Sequence, residues 1–452
     1  MSQLFVGGQF VDAATAKMRA VLNPANSREI GQVPEGSPGD VDQAVAAAGQ
    51  ALPAWSALSG DDRFVLLQDV AARLRELSVP LLGLLVAEGG LTQQEARTSL
   101  KAAEAALQYP PVPAKRSDNG VTAVIGPASS PLLPVVRDVT TALMGGDVVV
   151  IRPPVGAELL HLALAQAWTV LPPGVVNVVV GDSGLAGHLA GHSGIRAISF
   201  TGSASAAAML GQLGKPLRAT VGRLDAAILR PDADLDLAVR AVAWSRLRHG
   251  GRSCLSSRRI FVPAATAAEF AVRLHQYVGL LEVDDPAIAS VRLGPLGSAD
   301  AAKACENRVV RTMRAGARLV LGGFRFRPAG LKGGWLQPTI LADVPVDAPP
   351  HREELLGPVL TVSSYADDTQ LRALLGHEAA PVGVALYGAD EDDLCAWAAD
   401  LPAAALWLNV PQSDYAWPAQ HDSRRPVYRP AYASGALPDF FELDPLRCWS
   451  AT

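Results

Sequence analysis

Cysteine is scarce in this sequence: four residues among 452, at 254, 305, 395 and 448. No Cys-x-x-Cys pair occurs, and four widely scattered thiols make no disulfide framework. The eight histidines are not read as a ligand set either, so no metal site is expected. Charge is sparse as well. Charged residues make up 18% of the chain and leave a net charge of −5. No Lys/Arg stripe of the kind that tracks a phosphate backbone is present, and nucleic acid is not expected as a partner. Long apolar runs are missing: the best, in DVVVIRPP (147–154), stops after four hydrophobic residues, short of a membrane span. The opening stretch MSQLFVGGQF lacks the basic and apolar regions of an export signal. A soluble, cytoplasmic protein is expected.

What is plentiful is core material and punctuation. The chain is 49% hydrophobic, with 41 glycines and 34 prolines, and at this length it should split into two or three domains. FVGGQFVD (5–12) reads as a hairpin around a glycine turn. PGDVDQAVAAAGQAL (38–52) opens a helical region, with further helices expected over 61–76, 79–88 and 92–107. A Pro-rich connector, YPPVPAKRSDNG (109–120), follows. Apolar strands then alternate with helices: strands at 120–127, 147–154, 174–182 and 197–203, helices at 131–146, 157–171 and 184–192. That rhythm predicts a parallel sheet covered on both faces, which binds ligands at the carboxyl ends of its strands. A capped helix over 232–249 leads into GGRSCLSSRR (250–259), and a second α/β block begins at RRIFVP (258–263).

Cys254 sits in that glycine-led turn. Two readings are open: a nucleophile exposed by a tight turn, or a small inert thiol in the core. Arg248 and Arg252 stand close enough in sequence to favour the thiolate if their side chains point inward. His249 is either a base or a histidine answering the end of a helix dipole. The other three cysteines are assigned to the core.

Seven segments in order give the chain a resemblance. They are NPANSREIGQVPEGSPGDVDQAVAAAGQALPAWSAL (23–58), LPPGVVNVVVGD (171–182), FTGS (200–203), DADLDLAVRA (232–241), GGRSC (250–254), QPTILADV (337–344) and EELLGPVL (353–360). Together they resemble the aldehyde dehydrogenase superfamily along nearly the whole length. The resemblance implies an α/β fold with a Rossmann-like cofactor domain, an α/β catalytic domain and a small bridging β element. The boundaries read from it are 1–248 for the helical region and dinucleotide domain, 249–427 for the catalytic domain and 428–452 for a bridging segment. The implied active site lies at the end of a funnel between the first two.

The resemblance also implies roles. Cys254 stands at the family's nucleophile, attacking a small-molecule aldehyde and passing through a thiohemiacetal to a thioester. The family's second oxyanion donor, an asparagine, is replaced by Ser129 in PASSP (127–131). The glutamate that activates water is replaced by Thr220 in RATVGRLDAAIL (218–229), where the family's double glycine is gone and Asp225 is the nearest carboxylate. The implied cofactor is NAD or NADP. Arg152 stands for a lysine that holds the adenosine ribose, Gly202 and Ser203 belong to the phosphate turn, and Ala207 replaces a glycine there. Glu354 matches a carboxylate that grips the nicotinamide ribose, and Leu356 replaces a phenylalanine near the ring. Val155, with Glu158 slightly later, stands where an acidic residue would separate NAD from NADP. Asn409 in ALWLN is retained, whereas the family's Pro-Phe-Gly-Gly-Lys stretch is replaced within 417–435.

Three functions follow: slow oxidation of an aldehyde, a catalytically impaired homologue serving as a binding or regulatory subunit, or acyl transfer to a thiol such as CoA. A homodimer or an assembly with a homologous chain is expected, with the shortened 109–120 connector and the tail FFELDPLRCWS (440–450) altering the bridging element.

Overall fold

The computed structural model describes residues 3–110, 118–221, 224–376, 383–413, 426–430, 441 and 449–451. The chain divides into two compact units. The first comprises Met1–Asn23, Ser27–Gly89 and Ser99–Val221; the second comprises Pro24–Asn26, Gly90–Thr98 and Gly222–Thr452.

The first unit begins with the hairpin β1 (Leu4–Val6) and β2 (Gln9–Val11), then a two-stranded ribbon, β3 (Met18–Leu22) and β4 (Glu29–Pro34). Helices α1 (Pro38–Ala57), α2 (Gly60–Glu76) and α3 (Ser78–Ala87) follow, and α4 (Gln93–Gln108) runs from the second unit back into the first. Ser37 and Ser59 start α1 and α2 with capping boxes closed by Asp40 and Asp62, which satisfy amide groups the helices leave open. The alternating part is β5 (Val121–Ile125), α5 (Leu133–Met144), β6 (Val148–Arg152), α6 (Glu158–Trp168), β7 (Val176–Val178), α7 (Ser183–Gly191), β8 (Ile195–Gly202), α8 (Ala204–Gly211) and β9 (Leu217–Val221).

Strands β5 and β6 are buried at every position and apolar at all but Thr122 and Arg152, as a doubly covered sheet requires. The sheet order is β2-β1-β7-β6-β5-β8-β9, parallel from β7 to β9 with the hairpin added antiparallel. Chain order reverses between β5 and β8. The crevice beyond the carboxyl ends of those two strands is therefore a switch point, where such sheets bind ligands.

The second unit holds β10 (Ala226–Leu229), α9 (Leu235–Gly251), β11 (Arg259–Pro263), α10 (Ala267–Gly279), α11 (Ala299–Arg314), β12 (Arg318–Leu321), β13 (Thr339–Ala342) and β14 (Val359–Tyr365). It continues with α12 (Asp368–Leu375), β15 (Gly383–Tyr387), α13 (Glu391–Trp397), β16 (Ala405–Leu408), β17 (Val427–Pro430) and β18 (Trp449–Ala451). These build one sheet in the order β12-β13-β14-β11-β10-β15-β16-β17-β18, parallel from β13 to β17. Antiparallel β12 and β18 close its edges. Trp407, fully buried, stacks on Tyr428 with ring centroids 5.0 Å apart and fixes β16 against β17.

The ribbon β3–β4 had no signal in the sequence: only Val21 is buried in β3, so no alternation marks it. Residues 111–117 of the Pro-rich connector, 417–425 and 431–435 of the altered stretch, and most of the 440–450 tail lie outside the described residues.

Candidate active site

Helix α9 is capped by Asp234, whose carboxylate accepts from the Asp236 and Leu237 amides. Its helical backbone stops before Arg248; His249 and Gly250 adopt left-handed values, with φ of 54° and 64°. Gly251 follows at φ 71°. Here glycine is required by contact as well as by conformation: a Cβ on Gly251 would lie 2.0 Å from the Gly357 carbonyl oxygen. The Gly357 amide donates to the Gly251 carbonyl at 3.0 Å, so the turn carrying Cys254 is laid backbone to backbone on the 355–358 loop. Cys254 itself is partly exposed.

Buried arginines hold this turn by its carbonyls. Arg246 donates to Gly251 O at 2.8 Å and Val359 O at 2.8 Å, and its other nitrogen reaches Leu355 O. Arg248 donates to Ser253 Oγ at 2.7 Å and Leu255 O at 2.8 Å, with its guanidinium over the Trp244 ring. Arg252 donates to His249 O at 2.8 Å. Arg258 donates to Ser253 O at 2.8 Å and Cys254 O at 3.4 Å. Arg248 and Arg252 thus point inward. Sequence reasoning missed Arg246 and Arg258, because Leu355, Val359 and Glu354 become their neighbours only through the fold. Burial, with the neighbouring Arg258 charge, pushes the Arg246 guanidinium down to about 9, and burial pushes Arg252 down to about 10.

Glu354 lies on the loop before β14, half-buried, and pairs with Arg258 at 2.6 Å. Leu356, two residues on, is exposed. Cys254 precedes β11 and Glu354 precedes β14, which run parallel. In this unit the candidate residues therefore collect at the amino ends of the strands. The signal for Arg258 was present in the sequence as the paired arginines of GGRSCLSSRR, but its partner was not.

The first unit gathers its candidates at the other kind of edge. Ser129 lies in the turn after β5, half-buried, beside the buried Ser130. Ile125, the last residue of β5, pairs with Arg152 on one side and Phe200 on the other. Thr220 pairs with Thr201, one residue before Gly202. Ser203 caps α8, accepting the Ala206 amide at 3.2 Å, so a helix N-terminus opens where β8 ends. The structure brings Ser129, Arg152, Gly202, Ser203 and Thr220 to one carboxyl edge at the switch point. Ala207 donates its amide to Ser203 O within the helix, away from the open first turn.

This edge fits a phosphate-bearing dinucleotide: it offers a helix N-terminus at a strand end, and the buried Arg152 Nε is without a partner among the described residues. Arg152 donates from its tip to Gly181 O at 2.8 Å, and burial lowers its pKa against the pull of Glu158 and Asp182. Glu158 is fully buried, paired with Arg19 and accepting from the Gly156 amide at 2.6 Å. Val155 is exposed. Neither supplies an open carboxylate for a ribose.

The remaining candidates have structural work. Asp225 is fully buried and accepts the Gly383 amide at 3.0 Å, tying the start of β10 to β15. His249 is fully buried, its amide donating to Glu95 at 2.5 Å beyond the last helical residue of α9. Cys305 is buried in α11, its thiol pushed up to about 11 by burial. Cys395 is partly exposed beside Arg429, and Cys448 lies outside the described residues. Asn409 exchanges hydrogen bonds with Gly388, donating at 3.0 Å and accepting at 3.1 Å.

One spacing was overlooked. His188 and His192, four apart on and just beyond α7, converge on Asp42 at 3.4 and 3.3 Å. His192 Nδ1 accepts the Gly194 amide at 3.0 Å, which leaves the proton on Nε2 facing Asp42. That arrangement makes it a donor to a carboxylate rather than a ligand.

Residues 10–419 match the family model described as the aldehyde dehydrogenase family. Geranial dehydrogenase of Castellaniella defragrans is 29% identical over 90% of each chain. The NADP(+) succinate-semialdehyde dehydrogenase of Escherichia coli is 31% identical over 82% of each chain. Among solved structures, a mutant aldehyde dehydrogenase C from Pseudomonas syringae, complexed with NAD+ and octanal, superimposes with a TM-score of 0.84. It is 28% identical and covers 91% of this chain and 90% of its own.

Proposed function

Because this chain belongs to the aldehyde dehydrogenase family, we propose that it oxidises a small aldehyde with NAD or NADP through an acyl group carried on Cys254, and that release of the acid is slow. The observation that carries this reading is a partly exposed cysteine on a turn whose carbonyls are drawn by buried guanidinium groups. Positive charge beside a thiol favours the nucleophilic thiolate.

The Cys254 sulfur forms a bond to the aldehyde carbon, and the carbonyl oxygen becomes an oxyanion. The Cys254 amide donates to that oxygen, with Ser129 as the second donor carried over from the family. The bound cofactor supplies the acceptor for the hydride that leaves the same carbon. Arg152, Gly202 and Ser203 would hold its ribose and phosphates, and Glu354 and Leu356 its nicotinamide end. Loss of hydride leaves a thioester on Cys254. Water must then add to the thioester carbon, losing a proton as sulfur departs and giving a carboxylic acid. Thr220, in place of a carboxylate, cannot take that proton near neutral pH. The deficit at Thr220 favours one further reading, in which a thiol such as that of CoA removes the acyl group and no base for water is needed.

The test is reduced-nicotinamide absorbance across a panel of aldehydes, semialdehydes included, with NAD and NADP, in wild type and Cys254→Ala. Reduction in wild type that vanishes in the variant is expected. No reduction with any aldehyde, and none on adding CoA, overturns the reading and leaves a binding or regulatory subunit.

A further inference from the structure

Among the buried arginines around the nucleophile turn, Arg258 is the one paired with a carboxylate of the loop before β14. Arg246 and Arg248 spend their donors on carbonyl oxygens and a serine hydroxyl, and Arg252 donates to the His249 carbonyl. Arg258 is 4% exposed and is ion-paired at 2.6 Å with Glu354, whose side chain is 24% exposed. The same Arg258 nitrogen donates to the carbonyls on either side of the Cys254 α-carbon, at 2.8 and 3.4 Å. Its Nε and Nη1 are buried and have no partner among the described residues. A buried cation paired with a carboxylate, with donors to spare, leans on that carboxylate for its balance.

We propose that the Arg258–Glu354 pair sets the ionisation of the Cys254 thiol, with Arg258 as a positioning cation and Glu354 as its counterweight. The proposal rests on the reading of Cys254 as nucleophile and needs no cofactor. The guanidinium fixes the peptide units flanking the sulfur, and its charge favours the thiolate to the extent that Glu354 leaves it unbalanced. The other charged and titratable groups around the turn are Arg246, Arg248 and His249 on or beyond α9, and Arg252 in the turn. Arg259 at the start of β11, Glu95 in the 90–98 segment and Cys305 on α11 join them among the described residues. None of these is altered chemically when either member of the pair is substituted, so the two members can be tested separately.

Opposite signs follow. Removing the cation raises the thiol pKa, whereas removing the counterweight lowers it. The experiment follows the rate of iodoacetamide alkylation of the full chain against pH, read at the Cys254 peptide by mass spectrometry, with Cys254→Ala as the blank. Arg258→Gln is expected to raise the apparent thiol pKa by about one unit, slowing alkylation at neutral pH about tenfold. Glu354→Gln is expected to lower it and to speed alkylation several-fold, and Arg258→Lys to stay close to wild type. Each variant is first matched to wild type by circular dichroism and melting temperature; if Arg258→Gln fails to fold, Glu354→Gln and Arg258→Lys carry the test. Shifts of the same sign in both glutamine variants, or a Glu354→Gln profile that coincides with wild type, overturn the proposal. A Cys254 that resists alkylation at every pH in every variant overturns the nucleophile reading itself.

Discussion

Gly251 and Gly357 meet backbone to backbone: the amide of one donates to the carbonyl of the other at 3.0 Å, and no side-chain atom fits between them. This contact joins the turn that carries Cys254 to the loop that carries Glu354, so the two residues are positioned by one backbone event.

Gly251→Ala places a methyl 2.0 Å from the Gly357 carbonyl oxygen at a left-handed φ. The loss of stability is expected to be about 3 kcal/mol or more. Chemical denaturation measures it, and Cys254 alkylation should change with it because the turn must move.

Arg246→Met removes donors from Gly251 O, Leu355 O and Val359 O in a buried setting. Gly251 O keeps the Gly357 amide, but the loss of three buried bonds should lower stability by on the order of 3 kcal/mol. A matching methylene stem keeps the packing, so a denaturation curve unchanged from wild type would show that the three bonds carry no stability.

Thr220→Glu supplies the missing carboxylate on β9. If release of the acid limits turnover, steady-state reduction of cofactor should rise on the order of tenfold or more while the first-turnover burst keeps its size. Stopped-flow absorbance separates the two phases.

Glu88 accepts the Leu159 and Leu160 amides at 3.0 and 2.8 Å, and burial pushes its carboxyl up to about 7 from 4.5. With a folded pKa above the unfolded one, its contribution is complete below about pH 4.5 and is lost as pH rises through about 7, on the order of 3 kcal/mol in all. Buried His161, pushed down to about 4 from 6.5, acts with the opposite sign, its contribution lost as pH falls from about 6.5 to 4. The stability of Glu88→Gln should therefore climb more steeply between about pH 5 and pH 7 than that of wild type. Melting temperatures across that range read the difference.

The alternating strands and helices were legible because β5, β6 and β11 are buried at every position, and a doubly covered strand shows itself as apolar residues running together rather than alternating with polar ones. Cys254 was legible through its glycines, whose spacing a tight turn demands. Its electrostatics were not. Arg246 and Arg258 act on Leu355 and Glu354, residues that approach them only when β11 and β14 pair. Glu158 stands slightly past the position of a ribose-binding acid in the sequence, and only the fold shows Arg19 and the Gly156 amide holding it. The His188–His192 spacing was visible, yet its meaning depends on Asp42, which α1 delivers from far along the chain.

The most direct test of the central claim is mass spectrometry of the intact chain and its Cys254 peptide, quenched in acid shortly after mixing with an aldehyde and NAD or NADP. An acyl mass on Cys254 that forms only with both reagents, and is absent from Cys254→Ala, is the predicted result. An unmodified peptide across the aldehyde panel, with both cofactors supplied, would contradict the account.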